Sequence, residues 1–305
     1  MHIQKALFIP QITPASSLHN PPVSIPPRSA EITSPTQSGA GETSKLDKVS
    51  DPKLEIKKEA TSPNGLYQVS YSLSAPGAGL TNITFPIVID EGLQRKSAKD
   101  GGVYYAMQFD VNNEKGKRIG GGYIGIQPRG DGRALITFSG FGPHFQAPKG
   151  RSEADGGKGG SNSTMVDFKF GNKYNLTVER DPENPKRLSG YIQDVTDPDN
   201  PGPKQHVKDL DVDQNVALSG RKTGFVEQYG ANINRSSQVA STRGGFSAPF
   251  TTDENGNTRV GEIKGLGLYG RYKNSIVGNQ TVTKEAGSGK EIKFSFQGVG
   301  YEKNT

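Results

Sequence analysis

Residues 103–139 read VYYAMQFDVNNEKGKRIGGGYIGIQPRGDGRALITFS, and this stretch decides the fold class. Val103, Tyr105, Met107 and Phe109 recur at every second position, the period of a strand with one buried face. Asn112, Asn113 and Gly116 supply a turn, after which residues 123–127 (YIGIQ) return as a second strand. Arg129-Gly130-Asp131-Gly132 turns the chain again into residues 134–139 (ALITFS). The pattern predicts a three-stranded antiparallel meander.

The same alternation extends outward. In residues 66–73 it puts Tyr67, Val69, Tyr71 and Leu73 on one face. Residues 81–89 (TNITFPIVI) form another apolar run, in which Pro86 predicts an edge strand or a bulge. Downstream runs lie at 173–180, 188–195, 224–229, 265–272 and 291–299, with a plain turn cluster at 197–202. Residues 140–163 are rich in glycine and poor in apolar anchors, and they predict a mobile or ligand-binding loop. About nine strands at this spacing predict an all-β fold, a two-sheet antiparallel β-sandwich of jelly-roll type over residues 61–305.

Composition narrows the function classes. With 40 glycines and 20 prolines among 305 residues, few stretches are long enough for a long helix. No cysteine is present, which excludes disulfides, thiolate nucleophiles and thiolate metal sites. The formal charge of +6 is spread among acidic residues without a basic block, so no nucleic-acid partner is expected. No apolar run is long enough to span a membrane. A Sec-type signal would need Ala6-Leu7-Phe8-Ile9 as its apolar region, and Pro10 and Gln11 stop it there.

Residues 1–50 differ from the rest. They carry Pro10, Pro14, Pro21, Pro22, Pro26, Pro27 and Pro35 together with 8 serines, and no acidic side chain precedes Glu31. Such a segment buries too little apolar surface to offset the entropy of ordering, so residues 1–60 are expected to be a disordered leader and linker. Residues 45–60 (KLDKVSDPKLEIKKEA) have room for a short helical turn that Pro52 limits. Ile3 next to the start, the Ser/Pro/Gln content and the missing early acids resemble the N-termini of type III secreted effectors of plant-pathogenic bacteria. That resemblance covers about 50 residues and implies secretion through a type III apparatus into a host cell. An ordinary polar tail is the other reading of the same residues. An organellar transit peptide would carry more arginine than Arg28.

A second resemblance covers roughly residues 100–250. The order is Tyr104-Tyr105-Ala106-Met107-Gln108-Phe109-Asp110, Gly122-Tyr123-Ile124-Gly125-Ile126-Gln127, Tyr174-Asn175-Leu176, Gly190-Tyr191-Ile192-Gln193-Asp194 and Phe225-Val226-Glu227-Gln228-Tyr229-Gly230. It is similar to the secreted bacterial proteins grouped as domain of unknown function 3472, whose fold the resemblance implies is a concanavalin-like sandwich. That family places tryptophans along these strands, and this chain has none.

Candidate chemistry follows from residues on strands. Amides and phenols hydrogen-bond sugar hydroxyls while aromatic faces stack on the ring, so Tyr105, Gln108, Tyr123, Gln127, Tyr191, Gln193 and Tyr229 are candidate ligand-binding residues. Glycan cleavage needs two carboxylates about 5–10 Å apart. Glu227, flanked on its face by Phe225 and Tyr229, and Asp110 are the candidate catalytic pair, although the Glu-x-Asp-x-x-Glu array of glucanases is absent. Calcium is a weak prospect. Asp209, Asp211 and Asp213 imitate the start of an EF-hand loop, but Gln214 and Gly220 stand where it needs glycine and a bidentate acid. Asp253, Asn255 and Asn257 read as a turn. His2, His19, His144 and His206 are scattered, which gives no zinc spacing. The sequence therefore predicts a monomeric exported sandwich that needs no cofactor and binds a glycan or a host protein. A glycan-cleaving enzyme and a protein-interaction effector are the alternatives.

Overall fold

Period-two alternation becomes two antiparallel sheets packed face to face. The structure, a computed structural model, describes residues 42–45, 55–61, 64–154, 157–285 and 289–303. Most of the expected leader lies outside the described residues. Sheet one runs in the order β20 (Glu262–Leu268), β3 (Asn64–Ser72), β15 (Arg221–Tyr229), β5 (Gly102–Asn113), β6 (Arg118–Pro128), β7 (Arg133–Phe141), β10 (Gly157–Asp167) and β9 (Arg151–Ala154), with β14 (Val216–Leu218) beside the far end of β5. Sheet two runs β1 (Glu42–Lys45), β21 (Ile276–Glu285), β22 (Gly289–Gly298), β17 (Thr242–Ser247), β4 (Asn82–Glu91), β11 (Lys173–Arg180), β12 (Arg187–Asp194), β13 (Gln205–Val212) and β8 (Phe145–Gln146). The short strands β18 (Phe250–Thr252) and β19 (Thr258–Val260) form a hairpin against β4. A two-stranded ribbon joins β2 (Lys57–Thr61) to β16 (Ile233–Arg235). Thus residues 57–60, at the end of the stretch read as a linker, belong to a strand that runs on to Thr61 rather than to a helical turn.

The expected meander is β5–β6–β7, with Tyr105 opposite Ile126 and Ile126 opposite Ile136. Its second turn uses Asp131 and Gly132 at φ 63° and 68°, the left-handed region that Asp and Gly tolerate. The inward residues of β5, from Val103 through Val111 at alternate positions, are all buried, as are Tyr67, Val69 and Tyr71 of β3.

Phenylalanine and tyrosine fill the space between the sheets. Phe294 of sheet two lies 5.4 Å from Tyr67, 5.7 Å from Phe246 and 6.4 Å from Tyr105, measured between ring centroids. The phenols of Tyr67, Tyr71 and Tyr105, buried between the sheets, each find an acceptor or a hydroxyl, which offsets the cost of burying a polar group. The Tyr67 hydroxyl donates to Gln280 Oε1 at 2.6 Å, and the Tyr71 hydroxyl to the Gln108 carbonyl at 2.9 Å. The Tyr105 hydroxyl bonds to Thr242 Oγ1 and donates to the Glu91 carbonyl, both in sheet two. A side chain on Gly190 of β12 would stand 2.9 Å from the ring of Phe138 in β7.

Two expectations are corrected. Residues 140–163 are mostly strand. Gly159 through Thr164 of β10 pair one to one with Phe141 through Ile136 of β7. Glycine and serine have low strand propensity and carry no apolar alternation, but the hydrogen-bond ladder offered by β7 overrides both. Pro86 lies in a central strand, paired to β11 on one side and to β17 and β18 on the other. The residue that lacks an N–H coincides with the break between β17 and β18, where no ladder bond is required.

The shared aromatic layer predicts that Phe294→Ala loses about 3–5 kcal/mol of stability. The measurement is the denaturant midpoint, which should fall at constant slope. An unchanged midpoint would show that Phe294 does not bridge the sheets.

Candidate functional site

The inward set of β5 leaves Tyr104, Ala106, Gln108 and Asp110 facing outward. Around Tyr104 a second aromatic cluster forms on this outer face of sheet one. Tyr123 lies 5.5 Å from Tyr104, Phe225 5.4 Å and Tyr229 6.3 Å, each edge-on. Tyr269 also packs on the cluster. Burial and the nearby Glu227 carboxylate raise the pKa of the Tyr269 hydroxyl.

Next to this cluster a depression of about 570 Å³ opens. Tyr123, Gln127 and Tyr229 line it, with Thr137 and Ser139 of β7, Ser161 and Ser163 of β10, and Lys149 and Arg151. Arg95 and Arg129 hold their guanidinium carbons 5.4 and 5.9 Å from the ring centre of Tyr229. Arg129 donates to the Gln127 amide oxygen at 2.8 Å, and Arg95 donates to the carbonyls of Ser97 and Ala98 at 3.1 and 2.6 Å. These bonds orient both arginines in advance. Burial raises the pKa of the Tyr229 hydroxyl, and the two arginines oppose that rise. The one acid on the lining is Glu153, which pairs with Arg151 at 2.5 Å. The depression is therefore a cationic, hydroxyl-lined surface suited to an oxygen-rich anion.

The sequence candidates divide among three places. Gln108, Tyr123, Gln127 and Tyr229 share the outer face of sheet one, where the Gln108 amide oxygen accepts from Thr223 Oγ1 at 2.6 Å. Tyr105 is fully buried between the sheets. Tyr191 and Gln193 lie on the outer face of sheet two, on the far side of the sandwich. There the Lys204 ammonium sits 4.4 Å over the Tyr191 ring, and the Gln193 amide donates to the Gly202 carbonyl at 2.9 Å. Both tools of that pair are engaged locally.

Glu227 and Asp110 both face outward on sheet one but do not meet. Glu227 lies opposite Tyr104 on β5. Asp110 is six residues farther along the same strand, so at about 3.3 Å per residue the two are roughly 20 Å apart. That is about twice the span that paired-acid hydrolysis uses. Asp110 is held instead by Arg118 at 2.9 Å and Lys222 at 3.2 Å.

The aspartates of the EF-hand-like stretch go to different partners. Asp211 takes a two-pronged bond from Arg187 at 2.7 and 3.3 Å, and Asp213 pairs with His144 at 2.8 Å. Asp209 accepts from Ser189 at 2.8 Å and meets His206 at 2.7 Å. Asp253 accepts from the backbone N–H groups of Asn255 and Asn257, which makes it a turn former. Among the described residues, no group of three or more His, Asp or Glu is placed to hold a metal. No helix among them is long and apolar enough to cross a membrane.

Sequence reasoning missed Arg95, Arg129, Lys149 and Arg151. Arg129 belongs to the quoted hairpin turn, the one local signal that pointed toward it. No family model matches the chain, and no curated protein is similar to it in sequence.

The Asp209 contacts make a pH prediction. Burial alone would raise the pKa of its carboxyl, but the bonds from Ser189 and His206 outweigh burial and hold it below the ordinary carboxylate range. Their stabilisation is present above the unfolded pKa and is lost as pH falls through the folded one. Ser189→Ala should move the Asp209 titration, followed by carboxyl-carbon NMR, toward the ordinary value. The stability deficit of this variant should be present at neutral pH and shrink in acid. A deficit that persists unchanged in acid would count against the ion's role.

Proposed function

We propose that this protein is an exported carbohydrate-binding module, and that the cationic depression on sheet one takes an acidic sugar. The observation that carries the reading is the lining itself. Arg95, Arg129, Lys149 and Arg151 share the lining with one carboxylate, Glu153, and with the hydroxyls of Thr137, Ser139, Ser161 and Ser163. A uronate or sulfated sugar offers one anionic group for the arginine forks and a ring of hydroxyls for the serines and Gln127. The depression falls in the size range of small-ligand sites. The wide separation of Glu227 and Asp110 favours binding over cleavage.

Delivery is part of the same proposal. The proline- and serine-rich N-terminus, acid-free before Glu31, supports export as a type III effector, with the sandwich as its cargo. The order of sequence motifs over residues 100–250, which resembles that of a secreted sandwich family, supports the same direction.

Two experiments test these parts separately. On an array of neutral and acidic glycans, the full chain should retain uronate-bearing or sulfated members. Retention should weaken as salt rises toward 1 M, where screening shortens to about 3 Å. Arg129→Ala should weaken retention roughly tenfold, because it removes a charge-assisted contact. Retention of neutral glycans alone would refute the acidic-sugar reading. For delivery, residues 1–60 fused to a reporter should enter host cells only when the type III apparatus works. Apparatus-independent delivery, or none, would remove the effector reading and leave the binding site untouched.

A further inference from the structure

The outer face of sheet two, on the far side from the cationic depression, carries a pocket of opposite character. Its origin is the break in strand pairing at Pro86. There β17 has ended at Ser247 and β18 begins at Phe250, so the chain between them bends away from β4. A cavity of about 440 Å³ remains, floored by Pro86 and Val88 and walled by Phe250 and Val260 of the β18–β19 hairpin. Val195 and Pro198 close another side. Its lining is largely aliphatic and aromatic.

Into this apolar pocket comes one carboxylate. Glu291 of β22 points outward beside Ser247, and its side chain is only 5% exposed. Gly245 lies one strand over, on β17. A side chain there would meet Val88 at 3.3 Å and Glu291 Oε1 at 3.4 Å. A carboxylate this buried needs close partners, because desolvation of an ion costs several kcal/mol. Those it has among the described residues are long. Thr283 Oγ1 lies 3.4 Å and Lys293 Nζ 3.5 Å from Oε2, and the Lys293 side chain is 58% exposed. At these distances both contacts are weak. Lys173 also borders the cavity, exposed to solvent.

We infer that this pocket binds a small organic ammonium whose apolar body fills the cavity and whose cationic head pairs with Glu291. The buried Glu291 carboxylate selects a cationic head, Lys173 standing at the exposed rim, and the apolar lining selects an apolar body. A primary amine carries three donors, enough to give the carboxylate the close bonds that Thr283 and Lys293 do not supply. The volume lies within the range of small-molecule sites. This site shares no residue with the cationic depression and does not depend on the sugar reading.

The test uses benzylammonium chloride and its neutral counterpart benzyl alcohol, each titrated into the full chain and followed by amide NMR shifts. The expected result is that the ammonium binds with shifts around Glu291, Val88 and Val260, and binds roughly tenfold or more tightly than the alcohol. In Glu291→Gln that preference disappears while the alcohol still binds. Val260→Lys, at an exposed position of the hairpin, tests the site independently of the buried one. Its new cation at the rim should weaken the ammonium more than the alcohol. Equal binding of the two probes overturns the inference. So does a preference that survives in Glu291→Gln, or the absence of binding by the ammonium at millimolar concentration.

Discussion

The register of β5 is the constraint on which the rest of the molecule depends. With Val103, Tyr105, Met107, Phe109 and Val111 inward, the strand presents only apolar atoms and one phenol to the core. A slip of one residue would bury Gln108 and Asp110 and expose five core side chains. Tyr105 makes that register specific. Its ring stacks toward Phe294 at 6.4 Å, and its hydroxyl reaches Thr242 and the Glu91 carbonyl in the opposite sheet. A buried phenol must be paired, so the two sheets can meet in few ways that satisfy it.

That inward choice also sets the outer surface. Once Tyr105 faces in, Tyr104 faces out, and the strands on either side bring Tyr123, Phe225 and Tyr229 to it. The rings meet edge-on and Tyr229 carries two guanidinium groups, so the cluster serves as a scaffold for the cationic depression rather than as an open stacking platform. Sheet two follows a different logic. Its break at Pro86 removes a stretch of paired backbone and leaves an apolar hollow with a nearly buried carboxylate at its edge. The two outer faces therefore differ in chemistry, one with a cationic, hydroxyl-lined depression and the other with an apolar hollow.

Much of the fold was legible where apolar residues alternate. The meander in residues 103–139 and the inward face of 66–73 could be read directly, because a half-buried strand writes its period into the chain. Residues 140–163 could not. Gly159, Gly160 and Ser161 contribute backbone hydrogen bonds to β7 but no side-chain pattern, so a strand held by its neighbour looks like a loop. Pro86 misled for a related reason. A missing donor argues for an edge only if the adjacent position has a partner that needs it, and here that partner strand is broken. Of the candidate site residues, Tyr123, Gln127 and Tyr229 were legible, and the structure gathers them in one depression. The four cations that give the depression its chemistry were not legible. Arg95 precedes β5, Arg129 sits in a hairpin turn, and Lys149 and Arg151 come from the glycine-rich segment, so no local spacing links them.

Taken alone, the chain determines which side chains face inward and which outward on its patterned strands, because alternation is a local property of a pleated backbone. It also determines that any aromatic rings in the core are phenylalanine and tyrosine rather than tryptophan, and that thiol chemistry is absent. Only the tertiary structure decides which outward residues share a face. Strand order is set by long-range pairing, and it places Tyr191 and Gln193 across the sandwich from Tyr123 and Gln127. The distance between Glu227 and Asp110 is decided in the same way, by the register of β15 on β5. Two outward carboxylates on adjacent strands look like a pair in sequence, but strand register holds them roughly 20 Å apart.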